Sequence, residues 1–151
     1  MNHNPCPSAM TIIRKRSYGI IPIAFPSAGG PQFLILRAYS KWDFPKGGGE
    51  AGETPLQAAR RELEEETGIR EFELAWGEIY MDTGIYSGGK VARYYPARVE
   101  KRPLILPVSP ELGRPEHNEY RWLAYDRARA LLPPRLTPVI DWAWQLIAGK
   151  T

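Results

Sequence analysis

GGGEAGETPLQAARRELEEETGI, residues 47–69, is the stretch whose reading decides the fold. Its centre predicts a helix. Thr54 can accept a hydrogen bond from a free first-turn amide, and Pro55 suits the first helical position, where no amide partner is needed. Residues 56–67 contain no Gly and no Pro and are dominated by Ala, Leu, Gln, Arg and Glu, all good helix formers. Gly68 then stands where a left-handed cap ends a helix.

At helical periodicity Leu56, Ala59, Leu63 and Thr67 share a face suited to packing on a sheet, while Glu62, Glu65 and Glu66 cluster on another. That cluster opposes its own helix. Like charges one turn apart cost about 0.2–0.5 kcal/mol per pair. Negative charge in a last turn costs about 0.3–1 kcal/mol against the helix dipole. A bound Mg2+ or Mn2+ removes both penalties, because hard cations take carboxylate oxygens. A solvated acidic face is the competing explanation for three glutamates alone, and the wider spacing decides between the two.

Gly47, Glu53, Arg61, Glu62, Leu63, Glu65, Glu66, Gly68 and Ile69 fit G-x5-E-x7-R-E-U-x-E-E-x-G-U, where U is a bulky aliphatic residue. This pattern resembles the Nudix box with every defining position filled. The resemblance implies metal-dependent hydrolases that cut nucleoside diphosphates linked to another group. It implies an α/β fold with a mixed sheet sandwiched between helices. Glu62, Glu65 and Glu66 would be metal ligands, with Glu53 bracing the loop or helping to hold a metal. A backbone carbonyl of the Gly47 loop would be a further ligand. Arg61 would orient a glutamate through charge-assisted hydrogen bonds. Gly47, Gly48 and Gly49 lack a Cβ and so let the backbone approach metal and phosphate closely.

Around this centre, residues 17–25 and 32–39 predict a hairpin, with Pro22 suggesting an edge or a bulge. Residues 72–80 and 90–99 predict further strands, the second broken at Pro96, and residues 120–124 another. Residues 100–115 carry four prolines and predict a loop bordering the substrate cleft. Residues 127–132, capped by Asp126, and residues 137–147 predict closing helices. The order of segments predicts an α/β domain with a mixed sheet covered by helices.

Three further strings bear on substrate. Trp42-Asp43-Phe44-Pro45-Lys46-Gly47 resembles the corresponding string of dinucleoside polyphosphate and diphosphoinositol polyphosphate hydrolases, and it sets Lys46 to meet a phosphate. Lys90-x3-Tyr94-Tyr95 resembles the asymmetrical diadenosine tetraphosphate hydrolases, in which a lysine contacts phosphate and a tyrosine stacks on a base. The alternative is that Tyr94 and Tyr95 are one core and one surface residue. EHNEYRWL at residues 116–123 resembles the same group. It would bring Glu116, Glu119 and Tyr120 to the cleft, with His117 for phosphate binding or proton transfer.

The reaction implied is attack of water on phosphorus, assisted by Mg2+ or Mn2+, taking diadenosine tetraphosphate to ATP and AMP. Glu65, Glu116 and Glu119 are the candidate general bases, and Lys46, Lys90 and Arg93 the phosphate ligands. An RNA 5′-pyrophosphohydrolase, a nucleoside triphosphate pyrophosphatase and a diphosphoinositol polyphosphate hydrolase remain open as alternatives. So does a nucleotide-sensing binding module, although such modules usually lose box glutamates.

Length and composition fit this reading. The 151 residues, 43% apolar and 25% charged, predict one globular domain over residues 1–151, with residues 1–11 a loose tail. A single cysteine, Cys6, allows no internal disulfide, which fits a reducing cytoplasm. A net charge of +3 suits anionic small molecules and is too mild to indicate a stable nucleic-acid partner. No membrane association is expected, and the oligomeric expectation is a monomer or a homodimer.

Overall fold

The computed structural model describes residues 12–149, so the expected tail and Cys6 lie outside the described residues. In chain order the elements are β1 (Lys15–Ala24), β2 (Gln32–Ala38), β3 (Lys41–Asp43), β4 (Lys46–Gly48), α1 (Pro55–Thr67), β5 (Met81–Asp82), β6 (Lys90–Arg98), β7 (Val108–Ser109), β8 (Arg114–Pro115), β9 (Glu119–Leu123), α2 (Tyr125–Leu131), a 3-10 turn (Pro134–Leu136) and α3 (Thr137–Ile147).

β1 is the strand on which the sheet is built. It runs parallel to β6 along almost its whole length, from Lys15↔Lys90 to Ile23↔Arg98. Antiparallel to it lie β4 at residues 17–19 and β2 at residues 23–24. β2 also carries β3 and β9, and β6 carries β5, which completes a mixed seven-stranded sheet.

Neither proline disrupts these strands. Backbone amides two residues apart in a strand point the same way. Ile20 N donates to Pro45 O on the β4 side, so Pro22 faces that side too, in the gap between the β4 and β2 ladders where no amide donor is required. Arg98 N donates to Glu73 O, so Pro96 faces the gap between that bridge and β5. Pro22 is therefore neither at an edge nor in a bulge, and Pro96 does not break its strand.

Two apolar layers cover the two faces. On one, Ala59, Leu63 and Ile69 pack with Ile20, Leu34, Leu36, Tyr95 and Ala97. On the other, α2 and α3 deliver Ala128, Val139, Ile140 and Ala143 to Ile21, Ile23, Phe33, Phe44 and Tyr94. Among the described residues no helix is long and apolar enough to cross a membrane.

Three local expectations are corrected. Residues 72–80 form no strand: a bridge at Glu73↔Arg98 is followed by a turn in which Gly77 N donates to Leu74 O, at φ +91°. α2 begins at Tyr125 with Ala124 at its N-cap, and Asp126 makes no capping bond. The loop expected over residues 100–115 contains a short antiparallel pairing, β7 with β8.

α1 matches its reading closely. Thr54 and Gln57 form a reciprocal capping box and Gly68 closes the helix at φ +80°. Leu63 is fully buried beneath it. Leu63→Ala is expected to lower unfolding stability by about 2–5 kcal/mol, read as a shift of the urea midpoint at constant slope.

Candidate active site

The site forms where the Gly47 loop crosses the last two turns of α1. Arg61 makes the connection. Its Nε donates to Glu53 Oε2 at 2.7 Å, and its Nη2 donates to Gly48 O at 2.8 Å and Glu53 Oε1 at 3.1 Å. Its Nη1 donates to Glu62 Oε2 at 3.1 Å and to Glu65 Oε2 at 3.2 Å. The hydrogen bonds from Arg61 hold the Glu53 carboxyl below its ordinary range, with help from the Glu50 amide.

The three box glutamates do not share one environment. Glu65 lies on the solvent side, with 56% of its side chain exposed. Glu62 and Glu66 turn inward together. A Cβ on Gly47 would overlap the Glu62 carboxyl, so a larger residue there would displace that side chain. The Glu66 side chain is only 3% exposed. Its Oε1 accepts from Lys46 N at 3.2 Å, while its buried Oε2 has no partner among the described residues.

Burial pushes the Glu66 carboxyl well up, and the neighbouring Glu116 and Glu62 charges add to this. Burial likewise raises Glu62, against the opposing pull of the Arg61 guanidinium. A half-buried and a buried carboxylate side by side, the second with an orphan oxygen, and a loop pared back to glycine suit a hard divalent cation. Among the described residues no three acidic, histidine or cysteine side chains already converge as a ligand set. Glu62 and Glu66 are the pair that could hold an ion, with Glu65 beside Glu62 on the same Arg61 nitrogen.

His117 closes the inner side. It is 9% exposed, its Nδ1 sits 3.8 Å from Glu66 Oε1, and that nitrogen is buried without a hydrogen-bond partner among the described residues. Burial pushes its imidazole below its ordinary range. From here a cleft of about 680 Å3 opens, lined by Lys46, Lys90, Glu116 and His117 on the charged side and by Tyr39, Trp42 and Tyr86 on the aromatic side. Asp43 and Arg135 also line it. A concavity of about 760 Å3 lies at the other end of β1 and β6, between Phe25 and Lys101, remote from the carboxylates.

The structure does not bring every expected residue to this cleft. Tyr94 is fully buried and its hydroxyl donates to Asp43 Oδ1 at 2.7 Å, so it has no ring face to offer a base. Arg93 is engaged by Asp82 at 2.8 and 3.2 Å and lies over the Tyr80 ring. Tyr120 faces the α1 layer, where its hydroxyl accepts from Leu104 N at 2.9 Å. Glu119 is held by Arg121 at 2.7 Å and Arg37 at 2.9 Å, and these bonds keep its carboxyl below the ordinary range. Gly48 spends its carbonyl on Arg61. Conversely, the sequence reading attached no role to Asp43, Tyr86 or Arg135. Arg135 sits in the string PPRLTP with no local sign of a site.

Residues 15–143 match the NUDIX domain family model. Over 103 residues the chain is 36% identical to the bis(5'-nucleosyl)-tetraphosphatase [asymmetrical] of Sus scrofa, covering 64% of this chain and 67% of that protein. It is 29% identical to the RNA pyrophosphohydrolase of Rhodospirillum rubrum across 99% of this chain and 96% of that protein. A stronger but local match, 58% over 38 residues, spans only 22% of the RNA pyrophosphohydrolase of Bartonella henselae. In fold it is similar to the binary complex of a C. elegans Ap4A hydrolase, with TM-score 0.75 and 21% identity over 90% of this chain and 99% of that one. With the box pattern, the Arg61 clamp and the family model in agreement over most of its length, this chain belongs to the NUDIX family.

Proposed function

We propose that this chain is a Nudix pyrophosphohydrolase that hydrolyses dinucleoside polyphosphates, taking diadenosine tetraphosphate to ATP and AMP. The observation that carries the reading is the cleft itself. Lys46 and Lys90 offer charge to a phosphate chain, the exposed Tyr39 offers a ring to a base, and Lys46 and His117 of the same cleft border Glu66. The tetraphosphatase relative supports it.

Glu62 and Glu66 hold the divalent ion in this reading. Bound there, a Mg2+ or Mn2+ supplies neutralisation of phosphate charge and activation of water. Lys46 and Lys90 steady phosphoryl oxygens, and Arg61 fixes the orientation of the helix carboxylates. Of the three candidate bases, Glu119 is neutralised by two arginines and Glu65 faces the solvent side of α1. Glu116 lines the same cleft as Lys46 and His117, so it is assigned the proton from the attacking water. A second reading, RNA 5′-pyrophosphohydrolase, is favoured by the relative that aligns along nearly the whole chain.

Product analysis with Mg2+ separates the two. ATP and AMP from diadenosine tetraphosphate support the first. No nucleotide product, together with conversion of 5′-triphosphorylated RNA to monophosphate, replaces it with the second. Glu116→Gln is expected to lower kcat by about 100-fold or more, as loss of a general base does. A loss under about threefold in steady-state kinetics would move that role elsewhere.

The raised Glu66 carboxyl also sets a pH dependence. Folding binds its proton more tightly than the unfolded chain does, so its contribution is present below the unfolded value and is lost as pH rises through the folded one. Metal-free protein is expected to lose thermal stability from about pH 4.5 upward through this group. Mg2+ should raise Tm more at pH 8 than at pH 5, because it favours the ionised carboxylate. Glu66→Gln should flatten both trends in differential scanning fluorimetry.

A further inference from the structure

One ion pair ties the far end of the chain to the site. Arg135, in the 3-10 turn, donates from Nη2 to Asp43 Oδ2 at 2.8 Å, across 92 positions of sequence. Lys46 Nζ lies 3.6 Å from that same oxygen. The other oxygen, Oδ1, is taken by Tyr94 Oη and by Phe44 N, both at 2.7 Å. A single carboxylate therefore faces two cations, and the cleft as a whole sets Lys41, Lys46, Lys90 and Arg135 against Asp43 and Glu116.

Arg135 is also aimed with more care than a structural ion pair requires. Its guanidinium carbon lies 4.3 Å over the Tyr86 ring, which fixes the plane of the fork. A quarter of the side chain remains open to the cleft. Only the Asp43 bond is made to it among the described residues, and its buried Nε has no partner. A tethered, planar and under-used guanidinium beside a lysine is the arrangement that recognises a phosphoryl group in two-point fashion. Its position adds direction. Lys46 N bonds Glu66 while Lys46 Nζ meets Asp43, so a chain of contacts runs from Glu66 through Lys46 and Asp43 to Arg135.

We propose that Arg135 is a specificity residue that binds a phosphoryl group at the far end of that chain of contacts, so that the protein favours substrates with three or more consecutive phosphoryl groups over a single pyrophosphate. This deepens the dinucleoside polyphosphate reading and rests on it for the identity of the substrate. Asp43 holds the guanidinium in place and is a positioning residue.

The test uses inorganic tripolyphosphate and pyrophosphate titrated into the full chain in EDTA by calorimetry, where neither turnover nor a divalent ion contributes. Arg135→Gln is expected to weaken tripolyphosphate binding by about tenfold and pyrophosphate binding by less than twofold. Arg135→Lys, which keeps the charge but not the fork, should fall between wild type and Arg135→Gln and guards against a variant that merely unfolds. In steady-state hydrolysis of diadenosine tetraphosphate, Arg135→Gln should raise KM more than it lowers kcat. Equal tripolyphosphate affinity in wild type and variants, equal loss for both anions, or no tripolyphosphate binding by wild type overturns the proposal. If diadenosine tetraphosphate is not cleaved, the substrate reading fails while the tripolyphosphate comparison still decides the role of Arg135.

Discussion

Arg61 is the interaction on which the rest of the site depends. Its guanidinium reaches Glu53 and the Gly48 carbonyl in the loop before α1, and Glu62 and Glu65 on the helix. Loop and helix are thereby locked at one distance. Arginine suits this position because its planar fork spreads five donors over several acceptors, which a lysine ammonium does not. The same contacts offset the repulsion among carboxylates that the helix would otherwise carry unaided. With 23% of its side chain exposed, Arg61 works in a partly desolvated setting where such bonds count for more than at an open surface.

The price of the site is visible in Glu62 and Glu66. Glu66 is buried and Glu62 partly so, both carboxyls are raised by burial, and Glu66 keeps an oxygen without a partner among the described residues. A chain selected for stability alone would place apolar side chains there. Instead the fold sets well-packed layers on both sides: Leu63 and Ala59 anchor α1 to the sheet, and Tyr94 and Phe44 meet edge to face on the opposite layer. The carboxylate pair sits between these packed elements, so its geometry is held by packing remote from the chemistry.

Asp43 links that site to the opposite layer. It gathers the Tyr94 hydroxyl from the core, Lys46 from the loop and Arg135 from the 3-10 turn before α3. The cleft wall is therefore a joint product of β3, β6 and the segment between α2 and α3. Changes in any of these should be felt at the substrate before they are felt in the fold.

What the sequence by itself determined is what local spacing can encode. Helical periodicity, a capping pair, Pro55, Gly68 and the Gly47-to-Ile69 pattern settle α1, its buried face and the family, because each depends on residues within a few turns of one another. Facing and partnership were decided only by the tertiary structure. Tyr94 and Tyr95 are adjacent in sequence, yet β6 turns them to opposite layers, and whether either meets solvent depends on which helix covers that face. Arg93, Glu119 and Tyr120 carry chemistry suited to the cleft, but Asp82, two arginines and the Leu104 amide claim them first. Arg135 reaches Asp43 from 92 positions away, and no periodicity spans that distance.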